Sequence, residues 1–137
     1  MLTPWKRLKV NQNERAESLN KRRIGTFYEE AVSEYLKSHG IDILQKNYRC
    51  KYGEIDLIGK DGETTVFFEV KYRKNYQYGN PLEAVTKQKQ RTICKCAAFF
   101  CYNHKNVREI RYDVIGVLDE EIIWIKNAFE HDGYAFL

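Results

Sequence analysis

The amino-acid sequence predicts an α/β sandwich in which a mixed central sheet is flanked by helices. The chain has 137 residues, of which 43% are hydrophobic and 31% are charged, and these values are typical of one globular domain with a single core. The hydrophobic patterns follow one another in the order helix, three strands, helix, two strands. The longest apolar runs have only a few residues, so no segment is expected to cross a membrane.

The first helix is predicted over residues 24–39, where apolar residues recur at three- and four-residue spacing. Those residues are Ile24, Phe27, Tyr28, Ala31, Val32, Tyr35 and Leu36. Gly40 follows and is expected to end the helix. Glu29 borders the apolar arc, whereas Glu30 and Glu34 lie away from it. Glu29 is therefore expected to point along the sheet surface, and the alternative is an edge glutamate that reaches water.

Three strands are predicted next, over residues 43–50, 54–59 and 64–72. The third is rich in β-branched and aromatic residues, which favour strands. Asp61-Gly62 marks the turn between the second and third strands.

A long second helix is predicted from Pro81, a residue suited to a first helical turn, to about Tyr102. Its apolar side contains Leu82, Val85, Ile93, Ala97, Phe100 and Cys101. Two further strands are predicted at 109–118 and 122–126, with a turn at 119–120.

Three charges interrupt the apolar runs of the second and third strands, namely Asp56, Glu69 and Lys71. Buried apolar strands rarely hold charges that have no partner. Because side chains alternate along a strand, Glu69 and Lys71 point to one side, and a four-residue loop at 61–64 places Asp56 opposite Glu69. Opposed carboxylates repel each other, and a divalent cation between them removes that cost.

This pattern indicates the chemistry of a metal-dependent phosphodiesterase. Carboxylate oxygens favour Mg²⁺ or Mn²⁺, so Asp56 and Glu69 are candidate metal ligands. Lys71 is a candidate for orienting water or neutralising charge that develops on a phosphate. On spacing alone, a structural ion pair of Lys71 with Glu69 or Asp56 is an equally good interpretation.

Lys89 lies within the apolar arc of the second helix, so it needs a partner or a route to water. It is expected to meet the acidic cluster or a phosphate, and Gln88 is a weaker candidate for the same role. Lys87, Arg91 and Lys95 fall at four-residue steps on a different face, and the first two are candidates for contact with nucleic acid.

Basic and aromatic residues interleave directly after the third strand, at Arg73, Lys74, Tyr76 and Tyr78. Such a segment is suited to phosphate contacts and base stacking on nucleic acid. A plain surface loop is an equally good interpretation.

The net charge is +4, and its distribution is uneven, since basic residues concentrate in residues 1–23 and acidic residues in residues 113–137. One side of the molecule is therefore expected to face a polyanion. The cysteines, which form no C-x-x-C pair, are Cys50, Cys94, Cys96 and Cys101. They are expected to be reduced thiols, with a cysteine-ligated cluster as a remote alternative. No secretory signal is visible, and a cytoplasmic location is expected.

Several segments, in their order and spacing, resemble the YraN-like family of bacterial proteins, which is grouped with the PD-(D/E)XK nuclease superfamily. The matching segments are Gly25-x-x-x-Glu29, Tyr35-Leu36, Asn47-Tyr48-Arg49-Cys50, Gly53-Glu54-Ile55-Asp56-Leu57-Ile58, Val66-Phe67-Phe68-Glu69-Val70-Lys71-x-Arg73, Gly79, Glu83-Ala84-Val85, Lys89-Gln90-Arg91 and Arg111-Tyr112-Asp113-Val114. They run from about residue 24 to 117. Tyr28 is a departure, because the family usually has Gly before the helix glutamate.

The resemblance implies a restriction-endonuclease-like three-layer sandwich, as in Holliday-junction resolvases. The catalytic residues it implies are Asp56, Glu69, Lys71 and Glu29. The implied metal ligands are Asp56, Glu69, Glu29 and the carbonyl of Val70. The accessory residue on the second helix would be Lys89 or Gln88.

The sequence thus predicts a basic N-terminal arm at 1–23, a nuclease-like domain at 24–128 and a C-terminal tail at 129–137. The arm is expected to be a flexible segment or an irregular helix outside the core. The predicted function is nucleic-acid binding with Mg²⁺- or Mn²⁺-dependent endonuclease activity on DNA, of the repair or recombination type. The alternative is a non-catalytic nucleic-acid-binding module that retains the nuclease fold. A third interpretation is a structural protein whose charges form ion pairs. The expected partner is DNA, no membrane is involved, and a homodimer is possible on symmetry grounds.

Overall fold

The computed structural model of the chain describes residues 17–73, 80–118 and 121–133. Its elements, in chain order, are α1 (Glu17–Ser38), β1 (Asp42–Cys50), β2 (Gly53–Asp61), β3 (Thr64–Arg73), a 3₁₀ turn (Pro81–Ala84), α2 (Lys87–Asn103), β4 (Glu109–Leu118) and β5 (Glu121–Phe129). The predicted order of helix, three strands, helix and two strands is confirmed. Within the described residues, no helix is both long enough and apolar enough to cross a bilayer.

The five strands form one sheet in the order β1-β2-β3-β4-β5. Neighbouring strands are antiparallel except β3 and β4, which are parallel. A parallel pair needs a long crossover between its strands, and the segment with α2 supplies it. The predicted mixed sheet is therefore confirmed, and it owes its mixed character to the position of α2 in the chain.

The two helices cover opposite faces of this sheet, which gives three layers. The core between α2 and the sheet contains Tyr48, Ile55, Ile58, Phe67, Val85, Ile93, Cys94, Cys96, Ala97, Phe100, Tyr112 and Val114. The core between α1 and the sheet contains Val32, Tyr35, Leu36, Ile41, Leu57, Val66, Phe68, Val70, Ile115, Val117 and Ile122. Phe67 and Phe68 thus face opposite helices, and the alternation of β3 places Glu69 and Lys71 on the α2 side.

The hairpin between β2 and β3 is tighter than predicted. Asp61 pairs with Thr64, so the loop consists of Gly62 and Glu63 and not of four residues. Gly62 has a φ of +61°, a left-handed conformation that glycine adopts at little cost. The predicted register is nevertheless the observed one. A loop at 61–64 would pair Lys60 with Thr65, and these two residues are partners in the sheet.

The predicted start of the first helix was wrong. Helix α1 begins at Glu17, so it includes the last seven residues of the segment predicted as an arm at 1–23. The helical periodicity of apolar residues begins only at Ile24, and this periodicity was the signal on which the prediction relied.

The predicted start of the second helix was also wrong. Pro81 opens the short 3₁₀ turn, and α2 begins only at Lys87. Val85 is buried and extended between the two, and Thr86 caps α2 by accepting the amide of Lys89 at 3.1 Å. The buried Val85 side chain and the Thr86 cap therefore separate the 3₁₀ turn from α2, which the apolar periodicity predicted as one continuous helix.

Gly116 on β4 holds the 3₁₀ turn against the sheet. A Cβ atom on Gly116 would lie 2.1 Å from Pro81 Cγ, so only glycine allows this approach. Gly116 is also the β4 partner of Lys71. The turn that leads into α2 thus packs directly beside the strand position that holds Lys71.

Candidate active site

Asp56 lies at a break in the alternation of β2. Ile55 packs in the core under α2 and Leu57 in the core under α1, although residues two apart on a regular strand share a face. On β1, Asn47 has a φ of +51° between the pairs Tyr48–Ile55 and Lys46–Leu57. The two strands therefore bend together at Asp56, and such a bend re-aims the side chain that it contains.

The carboxylate of Asp56 is held against β3 by a backbone amide. Asp56 Oδ2 accepts a hydrogen bond from Val70 N at 2.7 Å. The backbone pairing of β2 and β3 ends at Leu57 and Phe68. Beyond that pair, the Asp56 side chain, and not the β2 backbone, accepts the hydrogen bond from Val70 N. It also fixes Asp56 beside Glu69, the residue that precedes Val70 on β3.

Glu69 is nearly inaccessible to solvent, with 4% of its surface exposed. Its Oε2 lies 3.5 Å from Lys89 Nζ and 3.8 Å from Lys71 Nζ. Lys89 comes from the first turn of α2 and Lys71 from β3 itself. The expectation that Lys89 meets the acidic cluster is therefore confirmed by the geometry, and helix and strand converge on one carboxylate.

Burial raises the pKa of Glu69 to about 8, and a hydrogen bond and the negative charge of Asp56 act in the same direction. Lys89 and Lys71 lower this pKa, but less strongly. The lysine side chains are 37% and 28% exposed, so water screens their charges, whereas the Glu69 carboxylate is almost dry. Glu69 therefore holds its proton more tightly than an exposed glutamate does.

Two carboxylates that lie next to each other, one of them with a raised pKa, mark a place where a divalent cation fits. Mg²⁺ is commonly held by one or two protein carboxylates, with waters and substrate phosphate as its other ligands. Within the described residues, no group of three or more His, Cys, Asp or Glu side chains gathers as a closed metal cage. Asp56 and Glu69 fit an open site for a hard cation and do not fit a fully enclosed one.

Glu29 comes from α1, the helix on the other face of the sheet from α2. It lies half-buried on α1, where its charge and that of Asp56 act on Tyr72. The pKa of Tyr72 is raised mainly by burial, then by Glu29 and by Asp56. The ring of Tyr72 also packs 5.0 Å from that of Tyr28. Tyr28, the departure from the family pattern, is thus part of an aromatic contact next to Glu29.

Some of the other predicted site residues lie on α2 and at the end of β3. Gln88, Lys87 and Arg91 are exposed on α2. Arg73 is half-buried at the end of β3, where its Nη1 donates to the carbonyl of Tyr72 at 3.4 Å. Lys74, Tyr76 and Tyr78 lie outside the described residues. All four cysteines are free thiols, and the sulfur atoms of Cys50 and Cys96 are 3.4 Å apart.

Sequence reasoning missed the role of Asp113. Asp113 is 1% exposed and accepts four hydrogen bonds, two of them from the guanidinium of Arg111 at 2.8 and 2.9 Å. Trp124 Nε1 and Asn127 N each donate to it at 2.9 Å. An acidic residue within the apolar run of β4 was the available signal, since the same signal identified Asp56 and Glu69.

The mixed sheet, its two helical layers and the order of its strands define a restriction-endonuclease-like α/β sandwich. The chain belongs to the uncharacterised protein family UPF0102, whose model matches residues 28–117. This is the YraN-like family predicted from the sequence. The match covers the bend at Asp56, the segment Glu69-Val70-Lys71 and the first turn of α2.

Relatives of the same family come from several bacteria. A UPF0102 protein of Caldicellulosiruptor saccharolyticus is 42% identical over 118 residues, which are 81% of this chain and 100% of that protein. A UPF0102 protein of Vibrio parahaemolyticus is 43% identical over 113 residues, which are 80% of this chain and 93% of that protein. One of Coxiella burnetii is 40% identical over 111 residues, which are 79% of this chain and 92% of that protein.

Proposed function

We propose that the protein is a metal-dependent nuclease that hydrolyses phosphodiester bonds of DNA. The observation that carries the proposal is the convergence of Asp56, Glu69, Lys71 and Lys89 from β2, β3 and α2. Two carboxylates beside two lysines make a site that can hold both a cation and the phosphate that the cation attracts.

Asp56 and Glu69 would hold Mg²⁺ or Mn²⁺. The bound cation supplies Lewis acidity toward a phosphate and favours the ionisation of water. Loss of the proton from Glu69 gives the pair the two negative charges that cation binding needs. The hydrogen bond from Val70 N fixes the direction of the Asp56 carboxylate, so little reorganisation is required.

Lys71 and Lys89 would then act on the substrate. Both ammonium groups lie within 4 Å of Glu69 and both remain partly exposed, so each can turn toward a phosphate oxygen. Their charges would offset the negative charge that grows on the phosphate during attack by water. Glu29 and the Val70 carbonyl remain candidates for a second ion or for water.

DNA is the substrate that we propose, with a cytoplasmic location. The exposed cations Lys87 and Arg91 lie on the helix that carries Lys89, so the backbone of a polyanion can reach the site along α2. Free thiols fit a reducing compartment. Cleavage of two strands at a junction would take two copies of the chain, which is the basis for proposing a homodimer.

A cleavage assay tests this proposal. Branched, flapped and single-stranded DNA would be incubated with Mg²⁺ or Mn²⁺ and the wild type, Asp56→Asn or Glu54→Gln. We expect Asp56→Asn to lower the rate by at least about 100-fold, because it removes an anionic ligand. Glu54, also on β2, pairs with Arg49 at 3.3 Å and serves as the matched carboxylate control. Equal rates for wild type and Asp56→Asn on every substrate would refute catalysis at this site.

Calorimetric titration with Mn²⁺ separates the remaining interpretations. A nuclease binds the ion at the Asp56–Glu69 pair and releases about one proton per ion at pH 7, because Glu69 is protonated beforehand. A non-catalytic binding module would bind DNA in a salt-dependent manner without cleavage, and Asp56→Asn would preserve or improve that binding. A purely structural role for the charges predicts no Mn²⁺ heat above the Asp56→Asn baseline.

A further inference from the structure

Helix α2 carries cations and no anions along its whole length. Its sequence from Lys87 to Asn103 contains four basic residues and no Asp or Glu. Lys87, Arg91 and Lys95 are exposed and follow one another at four-residue steps, so they form one stripe on the outer surface. Within the described part of the chain, none of the three forms an ion pair.

The stripe runs into exposed aromatic residues. Phe99 lies one further four-residue step along α2, and Tyr102 is the most exposed large hydrophobic residue that the structure describes, at 83%. Tyr52, in the turn between β1 and β2, places its ring 6.3 Å from that of Phe99 at 72°. We call Tyr52, Phe99 and Tyr102 the aromatic platform.

The platform is fixed to the same strand that carries Asp56. Gly53, the first residue of β2, has no side chain, and a Cβ atom there would lie 2.8 Å from the Thr92 side chain on α2. This close approach seats the turn with Tyr52 against the helix. Gly53 and Asp56 are three residues apart, which is about 10 Å at the rise of a strand. That distance is about three nucleotides of a stacked strand.

From this arrangement we infer that α2 binds a single-stranded segment of nucleic acid next to the cleavage site. Phosphates would lie on Lys87, Arg91 and Lys95, and bases about three or more nucleotides from the scissile phosphate would stack on the aromatic platform. Single-stranded DNA and RNA are commonly held by such a combination of cations and aromatic side chains. Lys51, 5.2 Å from the Tyr52 ring centroid, adds a further positive charge at this end. This inference rests on the proposed function, for which it names the structure of the substrate.

Binding measured without metal tests the inference independently of cleavage. The probes are a labelled 12-nucleotide oligothymidylate and an abasic oligonucleotide of equal length and charge, both in EDTA at low salt. We expect the wild type to prefer the thymidylate by about 5-fold or more, because stacking requires a base. Tyr52→Ala and Phe99→Ala should each remove most of this preference, whereas Phe99→Tyr should retain it.

Cation variants provide the second arm of the experiment. Arg91→Ala and Lys95→Ala should weaken binding of both probes equally and should reduce the slope of log K against log salt by about 0.7 each. Leu44 is another exposed apolar residue, near the end of β1 that is remote from Tyr52, and gives the matched control Leu44→Ala. The control should bind both probes as the wild type does, and thermal melting should confirm that every variant is folded.

Equal affinity of the wild type for both probes would overturn the inference, even if the protein cleaves DNA. A wild type that self-associates in sedimentation, with Tyr102→Ala abolishing association and leaving oligothymidylate binding unchanged, would assign the surface to a second copy of the chain and would also overturn it. A protein that shows the base preference but never cleaves would support the inference and refute only the nuclease proposal.

Discussion

Each face of the sheet buries an acidic residue, and the two residues differ in the hydrogen-bond and ion-pair partners that surround them. On the α1 side, Asp113 accepts four N–H donors at 2.8 to 2.9 Å, so its charge is fully compensated. On the α2 side, Glu69 has two lysines at 3.5 and 3.8 Å and a second carboxylate, Asp56, beside it. Asp113 is thus held by four short hydrogen bonds, whereas Glu69 is buried beside a second carboxylate and its two lysine nitrogens lie farther away.

This difference separates a structural charge from a candidate functional one. The Arg111 guanidinium donates two hydrogen bonds to Asp113 and a third, at 3.0 Å, to Asp61. These bonds connect β4 to the end of β2. Asn127, with a φ of +51°, lies in a bulge of β5, and its amide is satisfied by Asp113. Glu69, by contrast, is buried next to a second carboxylate, and a buried carboxylate with a raised pKa is a candidate functional group.

Removal of the Asp113 carboxylate should have the largest effect. Asp113→Asn leaves Arg111 without its buried partner, and we expect the free energy of unfolding to fall by about 3–5 kcal/mol. Urea denaturation measures the change. The double variant Arg111→Met/Asp113→Leu should lose less, since no buried charge is then unpaired. A loss below about 1 kcal/mol for Asp113→Asn would show that the two acidic sites are equivalent, and the comparison would fail.

The pH dependence of stability should sharpen the contrast at Glu69. Its pKa rises from an ordinary 4.5 to about 8 on folding, so the folded protein holds an extra proton between these values. The stability that depends on this proton is fully present below about pH 4.5 and is lost as the pH rises through 8. Urea denaturation would give the free energy of unfolding of the wild type and of Glu69→Gln at each pH. We expect the wild-type value minus the variant value to fall by on the order of a few kcal/mol from pH 5 to 8.5. A flat difference would mean that Glu69 is already ionised at pH 5.

Much of the fold could be predicted because it depends on local patterns. The periodicity of apolar residues located both helices and all five strands, and the Asp-Gly turn gave the register that brings Asp56 opposite Glu69. The helix starts at Glu17 and Lys87 were missed, since an amphipathic pattern reports packing and not backbone hydrogen bonds. Thr86, a good N-cap residue just after Val85, was the local signal for the second of these starts.

The candidate site was harder to predict, because a charge within an apolar strand can belong to a structural residue or to a functional one. A charge within an apolar strand describes Asp113 as well as Asp56 and Glu69. Only the tertiary partners distinguish them, and Trp124 and Asn127 reach Asp113 through a bulge that no local pattern encodes. The bend at Asp56 depends in the same way on the left-handed conformation of Asn47 across the hairpin.

Substitution of the lysines should have the smallest effect and tests how they share Glu69. Lys89→Met and Lys71→Met each remove a charge that lowers the pKa of Glu69, so each should raise the midpoint of the stability profile by less than about one pH unit, since water screens both lysines. Lys89 lies closer to Oε2 and should cause the larger shift. Lys95→Met, on the exposed face of α2, is the matched control and should leave the midpoint unchanged. A larger shift for Lys71→Met would place Lys71 as the main partner of Glu69, and a downward shift for either variant would contradict the proposed balance of charge.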